Sequence, residues 1–123
     1  MKRIRALVAE DELLIQLHLI GVLKEHGCEI IGTVETGEEA VEAALRERPD
    51  VVFMDIKLQG RMDGYEAARR IAAESAIPIV FISAYDPGKM GNPGDVTNSI
   101  AVVNKPIDLD ELREVLDTLL RQV

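Results

Sequence analysis

Three carboxylates, one hydroxyl and one ammonium group follow the short apolar runs of this 123-residue sequence, in the order Glu10, Asp11, Asp55, Ser83 and Lys105. Carboxylates that converge repel one another unless a cation joins them, and an oxygen-rich cluster suits Mg²⁺, with Mn²⁺ as a substitute. A carboxylate held between Mg²⁺ and an ammonium group stays ionised and is able to attack phosphorus, which gives an acyl phosphate. These residue types therefore indicate phosphoryl transfer to a carboxylate.

Asp55 is the best candidate for the nucleophile because it ends the most apolar of the predicted strands. Negative charge spreads over the oxygens of a transferring phosphoryl group, and Mg²⁺, Lys105 and the Ser83 hydroxyl are suited to share it. Glu10 and Asp11 have a simpler interpretation as residues that favour a helix N-terminus. Together with Asp55 and Lys105, however, a metal site explains them better.

Apolar runs alternate with helical patterns, which predicts parallel strands joined by right-handed crossovers. The predicted strands are Arg5–Ala9, Glu29–Val34, Val51–Met54, Ile79–Ile82 and Ile100–Val103. The predicted helices are 11–26, 38–48, 65–75 and 109–122. We therefore expect a single α/β domain over residues 1–123, with a flavodoxin-like, doubly wound, five-stranded parallel sheet. Ligands of such sheets bind beyond the carboxyl ends of the strands, where the polar residues lie.

Two segments carry more specific predictions. In the first helix, Leu13, Leu17 and Ile20 are predicted to line the buried face, because their spacing fits a helical period. Residues 85–99 hold three glycines and two prolines. Each glycine costs about 1 kcal/mol in a helix and an interior proline about 3 kcal/mol. A fourth helix in that segment is therefore expected to be short or disordered.

Composition excludes several classes of protein. The formal net charge is -8, from 14 basic and 22 acidic residues, which argues against direct binding of nucleic acid. No apolar run approaches the roughly 20 residues that span a bilayer, and the N-terminus lacks the layout of a signal peptide. We expect a cytoplasmic protein without a membrane partner. The single cysteine, Cys28, is expected in the core.

Five short motifs, each at the end of a predicted strand or in the loop that follows it, resemble those of the receiver domain of response regulators in two-component signalling. They are Glu10-Asp11, Met54-Asp55, Met62-Asp63-Gly64, Ser83-Ala84 and Lys105-Pro106. The resemblance extends from about Arg3 to Leu120. One dipeptide alone is weak evidence, but five in order on a repeating strand–helix pattern are specific.

The resemblance implies a role for each matching residue. Asp55 would accept phosphate from a histidine kinase or a histidine phosphotransfer protein, in a domain that assists only its own phosphorylation and dephosphorylation. The implied Mg²⁺ ligands are Glu10, Asp11, Asp55 and the backbone carbonyl of Lys57. Lys105 would pair with the phosphoryl group, Ser83 would move toward it, and the Lys105–Pro106 peptide bond would be cis. Output would pass to an unknown downstream protein.

The sequence also departs from the family pattern. Receivers often carry an aromatic residue three positions before the lysine of the last strand, where this chain has Val102. Tyr85, two residues after Ser83, is the candidate replacement. Asp63 is expected to shape the turn at Gly64 or to cap the helix that follows it, rather than to bind metal.

Two interpretations remain beside a stand-alone receiver. In the first, the chain is a receiver module of a hybrid kinase or of a longer regulator, which would have the same sequence features. A flavodoxin-like protein that binds FMN or a nucleotide is a different class. It would need a phosphate-binding loop rich in Gly, Ser or Thr after the first strand, where this chain has Glu10 and Asp11.

Overall fold

A computed structural model describes residues 3–84 and 96–122 of the chain. Its five strands are β1 (Ile4–Ala9), β2 (Cys28–Val34), β3 (Val51–Asp55), β4 (Ile79–Ser83) and β5 (Ser99–Asn104). The helices within the described ranges are α1 (Leu13–Glu25), α2 (Gly37–Glu47), α3 (Gly64–Glu74) and α4 (Leu109–Gln122). All neighbouring strands pair in parallel, in the order β2-β1-β3-β4-β5. The predicted doubly wound α/β fold is confirmed.

The sheet separates two apolar cores. One face packs against α1 and α4 through residues such as Leu23 and Leu116, and the other packs against α2 and α3 through Ala40, Ala67 and Ile71. Strand β3 is buried along its whole length, as expected for a central strand that is covered on both faces. Its last residue, Asp55, therefore lies at the carboxyl end of the central, buried strand.

The predicted buried face of α1 is wrong for Leu13 and Leu17, whereas Ile20 is partly buried and packs against the core. Leu13, Leu14 and Leu17 are 64%, 82% and 56% exposed, whereas the buried residues of the helix are Leu19, Val22 and Leu23. Eight of the thirteen residues of α1 have apolar side chains, and because they are spread around the helix the spacing of leucines does not select one face. Packing against the sheet buries Leu19, Val22 and Leu23, which leaves three leucines exposed in the N-terminal half of α1.

Loops near the sheet edge are held by side-chain caps and one bridge. Asp63 caps α3, because its Oδ1 accepts a hydrogen bond of 2.8 Å from the backbone N–H of Glu66. This is the capping role predicted for it. Thr36, which caps α2, forms an isolated parallel bridge with Gln59 in the loop after β3. That loop is thereby fastened to the start of α2.

The predictions for Tyr85 and for a short or disordered fourth helix fall largely on residues 85–95, which lie outside the described residues. Within the described chain, a turn at residues 96–98 leads directly into β5. No helix in residues 3–84 or 96–122 combines the length and the apolar character that crossing a bilayer needs.

Candidate functional site

The topology brings the predicted polar residues to one edge of the sheet. Glu10 directly follows β1, Asp55 ends β3, Ser83 ends β4 and Lys105 follows β5. Strand β3 lies between β1 and β4 in the sheet. One carboxylate oxygen from each of Glu10, Asp11 and Asp55 lies within 4.8 Å of the other two. The structure therefore assembles the three carboxylates that the sequence pattern predicted to converge.

Two of these carboxylates are removed from solvent. Glu10 is 1% exposed and Asp55 is 4% exposed, while Asp11 is only partly buried. Ser83 is buried as well. A buried charge is costly unless an opposite charge or hydrogen bonds compensate it. Compensation must therefore come from groups at the same edge of the sheet.

Lys105 supplies the positive charge. Its ammonium nitrogen Nζ donates a hydrogen bond of 3.0 Å to Oδ2 of Asp55 and lies 2.9 Å from Oε1 of Glu10. The peptide bond from Lys105 to Pro106 is cis, as the resemblance implied. The backbone N–H of Lys105 donates to the carbonyl oxygen of Ser83 at 2.8 Å, which ties the lysine to the end of β4.

Backbone N–H groups hold the other carboxylate oxygens. Oδ1 of Asp55 accepts a hydrogen bond of 3.1 Å from the N–H of Lys57, and Oε2 of Glu10 accepts one of 3.0 Å from the N–H of Glu12. Oε1 of Glu10 is buried and makes no hydrogen bond, although it forms an ion pair with the Lys105 ammonium nitrogen at 2.9 Å. One carboxylate oxygen in the site thus has a lone pair available to a ligand.

The site carries more negative than positive charge. Burial alone would lower the pKa of Lys105, but the adjacent carboxylates Glu10 and Asp55 outweigh it and raise that pKa. Burial raises the pKa of Asp11, and the nearby Glu10 carboxylate raises it further. Three carboxylates against one ammonium leave the cluster about two charges negative. An all-oxygen cluster with this charge fits a hard divalent cation such as Mg²⁺ or Mn²⁺.

The backbone of α3 lies directly against Asp55. A Cβ atom at Gly64 would collide with the carbonyl oxygen of Asp55, and the N–H of Gly64 donates a hydrogen bond of 2.7 Å to the carbonyl oxygen of Ile56. Only glycine permits so close an approach. The close approach of Gly64 to Asp55 was not predicted from the sequence, although a glycine directly after the helix cap Asp63 is a signal of a constrained backbone.

The remaining predicted site residues have mixed outcomes. Lys57 lies in the loop after β3 with its backbone beside Asp55. Val102 pairs with Phe81 across β4 and β5 and is half-buried. Tyr85 is outside the described residues. The strand pattern placed Glu10 and Lys105 at the same edge of the sheet, but their direct contact was not predicted, because it depends on how far the two side chains reach.

Comparison with known proteins decides the family. The family model for the response regulator receiver domain matches residues 6–117. This chain belongs to the response regulator receiver family. The receiver is 39% identical over 108 residues to the transcriptional regulatory protein PdtaR of Mycobacterium tuberculosis, a match that covers 88% of this chain and 52% of PdtaR. It is 36% identical over 121 residues to the uncharacterised response regulatory protein VC_A0850 of Vibrio cholerae, covering 96% and 45%.

Solved structures agree with this assignment. The receiver superposes with a TM-score of 0.87 on the receiver domain of a modulated diguanylate cyclase from Desulfovibrio desulfuricans G20, at 32% identity over 98% of this chain and 96% of that one. For the receiver domain of PhyR from Erythrobacter litoralis the TM-score is 0.80, at 30% identity over 98% and 92%. Nothing in these comparisons favours a flavin- or nucleotide-binding protein.

The receiver spans about half the length of the curated relatives PdtaR and VC_A0850. Phosphorylation and Mg²⁺ binding are typical of the family.

Proposed function

We propose that this receiver is a phospho-acceptor switch in which Asp55 takes a phosphoryl group from a phosphohistidine. The observation that carries the proposal is the placement of the Asp55 carboxylate. It lies at the end of the central strand, 3.0 Å from the ammonium nitrogen of Lys105 and within 4.8 Å of carboxylate oxygens of Glu10 and Asp11. One oxygen of the acceptor carboxylate thus contacts an ammonium group, and the same carboxylate belongs to the cluster that could hold a divalent ion.

In the proposed reaction, an oxygen of Asp55 attacks the phosphorus of the donor. A phosphorus–oxygen bond forms, the phosphorus–nitrogen bond breaks, and its electron pair returns to the imidazole nitrogen. Lys105 balances charge on the phosphoryl oxygens, and the N–H of Lys57 holds the second oxygen of Asp55 in place. Glu10, Asp11, Asp55 and the carbonyl of Lys57 would hold Mg²⁺, which supplies charge neutralisation for the phosphoryl group.

Ser83, Tyr85 and Val102 form the proposed switch. Ser83 is buried beside the site at the end of β4, and its hydroxyl is suited to hydrogen-bond a phosphoryl oxygen. Val102 provides no aromatic ring that responds to such a movement, so Tyr85 is the proposed reporter. If Tyr85→Ala leaves every NMR shift that phosphorylation induces outside the site unchanged, Tyr85 has no such role.

A protein donor is supported by the surface next to the site. Leu13, Leu14 and Leu17 are exposed on α1, which begins two residues after Asp11. Exposed apolar groups of this kind mark contact surfaces for other proteins. We propose that a histidine kinase or histidine phosphotransfer protein contacts them while its phosphohistidine reaches Asp55. The acidic net charge supports output through a protein in the cytoplasm rather than through direct contact with nucleic acid.

The proposed unit is the receiver over residues 1–123, and it has no separate substrate beyond its own Asp55. A receiver that forms part of a longer regulator would have the same chemistry. The relatives that are about twice as long make that arrangement a real alternative to a stand-alone regulator.

The decisive experiment uses acetyl phosphate and Mg²⁺ with intact-mass measurement. Wild type should gain the mass of one phosphoryl group, and Asp55→Asn should gain none. Asp63→Asn is the matched control, because it makes the same change in the following loop and asparagine still caps α3. Equal phosphorylation of wild type and Asp55→Asn would refute the assignment of the acceptor.

A further inference from the structure

We propose that the first turn of α2 fixes the loop after β3, residues 56–63, and that Glu38 in this turn is a positioning residue for the metal site. The inference rests on the proposed function, in which the backbone of Lys57 supplies a ligand to Mg²⁺ and a hydrogen bond to Asp55. It deepens that function by naming a residue outside the site that sets the affinity for a divalent ion. Glu38 would not touch the ion and would act through the position of Lys57.

The first half of the loop holds Lys57 at the site. Ile56 and Leu58 are buried in the core that packs against α2 and α3, so they anchor the backbone on both sides of Lys57. The N–H of Lys57 donates a hydrogen bond of 3.1 Å to Oδ1 of Asp55. A displacement of this backbone would therefore change both the orientation of the acceptor carboxylate and the position of the Lys57 carbonyl oxygen.

The second half of the loop lies against the first turn of α2 through two backbone contacts. Thr36 forms a parallel bridge with Gln59. A Cβ atom at Gly37 would collide with the carbonyl oxygen of Met62, so the two backbones are as close as only glycine permits. Thr36 is itself held by Glu39, whose N–H donates to the Thr36 hydroxyl at 3.2 Å and whose Oε1 accepts from it at 3.0 Å. This reciprocal cap makes the start of α2 a fixed support for the loop.

The third contact is made by the side chain of Glu38. Its Oε2 lies 2.8 Å from the position that a Cβ atom would occupy at Gly60. Gly60 has a φ of 98°, in the left-handed region, and a glycine backbone is the least restricted by its own sterics. Glu38 thus covers the point of the loop that most needs support from outside. Because Glu38 is an exposed residue, its replacement should cost the fold little.

The test compares Glu38→Ala with Glu38→Gln by titration calorimetry with Mg²⁺. Alanine removes both the contact with Gly60 and the charge, whereas glutamine removes only the charge. Glu38→Ala should raise the Mg²⁺ dissociation constant roughly threefold, less than the tenfold typical of lost support for a metal ligand, because Glu38 makes one of three contacts. Glu38→Gln should stay near the wild-type value. Glu42→Ala is the matched control, since it makes the same change at an exposed position about one turn further along α2.

Two outcomes of this titration would overturn the proposal. An unchanged dissociation constant in Glu38→Ala would show that the contact with Gly60 does not affect the metal site. Equal weakening in Glu38→Ala and Glu38→Gln would show that the charge of Glu38 acts on the ion directly, without any positioning of the loop.

A measurement on the metal-free protein tests the same contact without the ion. Hydrogen exchange at the Lys57 amide should be roughly threefold faster in Glu38→Ala than in Glu38→Gln, because a less supported loop opens the bond to Asp55 more often. The Glu12 amide, which donates to Oε2 of Glu10 at the same sheet edge, is the internal reference and should exchange equally in both variants. Equal exchange at Lys57 would contradict the positioning role.

These outcomes are separable from failure of the proposed function. Wild type that neither binds Mg²⁺ nor accepts a phosphoryl group from acetyl phosphate would refute the function itself. Wild type that does both, with the same Mg²⁺ affinity in Glu38→Ala, would refute only the role of Glu38.

Discussion

The ammonium nitrogen of Lys105 lies 3.0 Å from Oδ2 of Asp55, although 50 positions separate the two residues in the chain. The sheet order places β4 between the strands that carry them. The hydrogen bond therefore depends on three strands ending at the same level. Within residues 3–84 and 96–122, it joins the proposed acceptor to the cationic side chain that contacts it.

Removal of Lys105 should destabilise the metal-free protein. Lys105→Met leaves three carboxylates without their shared counter-charge, and we expect the free energy of unfolding to fall by roughly 1–3 kcal/mol. Millimolar Mg²⁺ should reduce this difference, because the ion replaces the lost charge. Urea denaturation with and without Mg²⁺ measures both effects. The exposed Lys57 provides the control Lys57→Met, for which we expect a change within about 0.5 kcal/mol.

The exposed leucines of α1 should matter for a protein donor and not for a small one. Leu14→Ser should slow phosphorylation by a phosphorylated histidine phosphotransfer protein that serves wild type, by about tenfold, the factor that 1.4 kcal/mol of lost contact gives. Phosphorylation by acetyl phosphate should be unchanged. Leu120→Ser on α4 is the control, since Leu120 is also exposed. Equal slowing with both donors would point to damage in the site itself.

Two glycines in helices should respond to alanine in opposite directions. Gly64→Ala forces a Cβ against the carbonyl oxygen of Asp55, and we expect a loss of at least about 2 kcal/mol in the free energy of unfolding. It should also slow phosphorylation, since Asp55 must shift. Gly21 in α1 has open space at its Cβ position, so Gly21→Ala should stabilise by about 0.5–1 kcal/mol. Thermal and urea unfolding measure both changes.

Cys28 should make stability depend on alkaline pH. Burial raises the pKa of its thiol from 9.0 to about 11. Above pH 9 the unfolded chain releases this proton while the folded chain keeps it, so the free energy of unfolding falls as pH rises. By pH 11 the loss should reach about 2 kcal/mol.

The comparison with Cys28→Ala isolates this effect, because the variant cannot lose a thiol proton. Lys105 contributes in both proteins: its pKa is raised, so its stabilisation is present below the ordinary lysine value and is lost only above it. The difference between wild type and variant should change by about 2 kcal/mol between pH 8 and pH 11. A difference that stays constant with pH would show that Cys28 ionises normally in the fold.

Much of the architecture follows from local patterns. The strands that end at Asp55 and Ser83 are continuous apolar runs, and parallel pairing makes their ends meet. The placement of Glu10, Asp11, Asp55 and Lys105 at one edge was therefore predictable. The helix cap that Asp63 forms was predictable for a different reason, because capping depends only on residues close to it in the sequence.

The errors and omissions concern tertiary packing. The apolar residues of α1 are spread around the helix, so its sequence does not reveal whether Leu17 or Leu19 faces the sheet. The pairing of Glu10 with Lys105 depends on how far two side chains reach across intervening strands. The close approach of Gly64 to Asp55 depends on the position of α3 over the sheet edge. None of these distances is encoded in the spacing of residues along the chain.

The position of β5 at the margin of the sheet has a consequence for biosynthesis. Glu10 leaves the ribosome early and Lys105 late. A growing chain therefore carries the carboxylates of Glu10, Asp11 and Asp55 before the ammonium group of Lys105 has been synthesised. Until β5 joins the sheet, repulsion among these carboxylates opposes packing at this end of the sheet. Cellular Mg²⁺ would supply the missing positive charge. We therefore expect co-translational folding to finish where β5 brings Lys105 to these carboxylates, and to finish later without Mg²⁺ than with it.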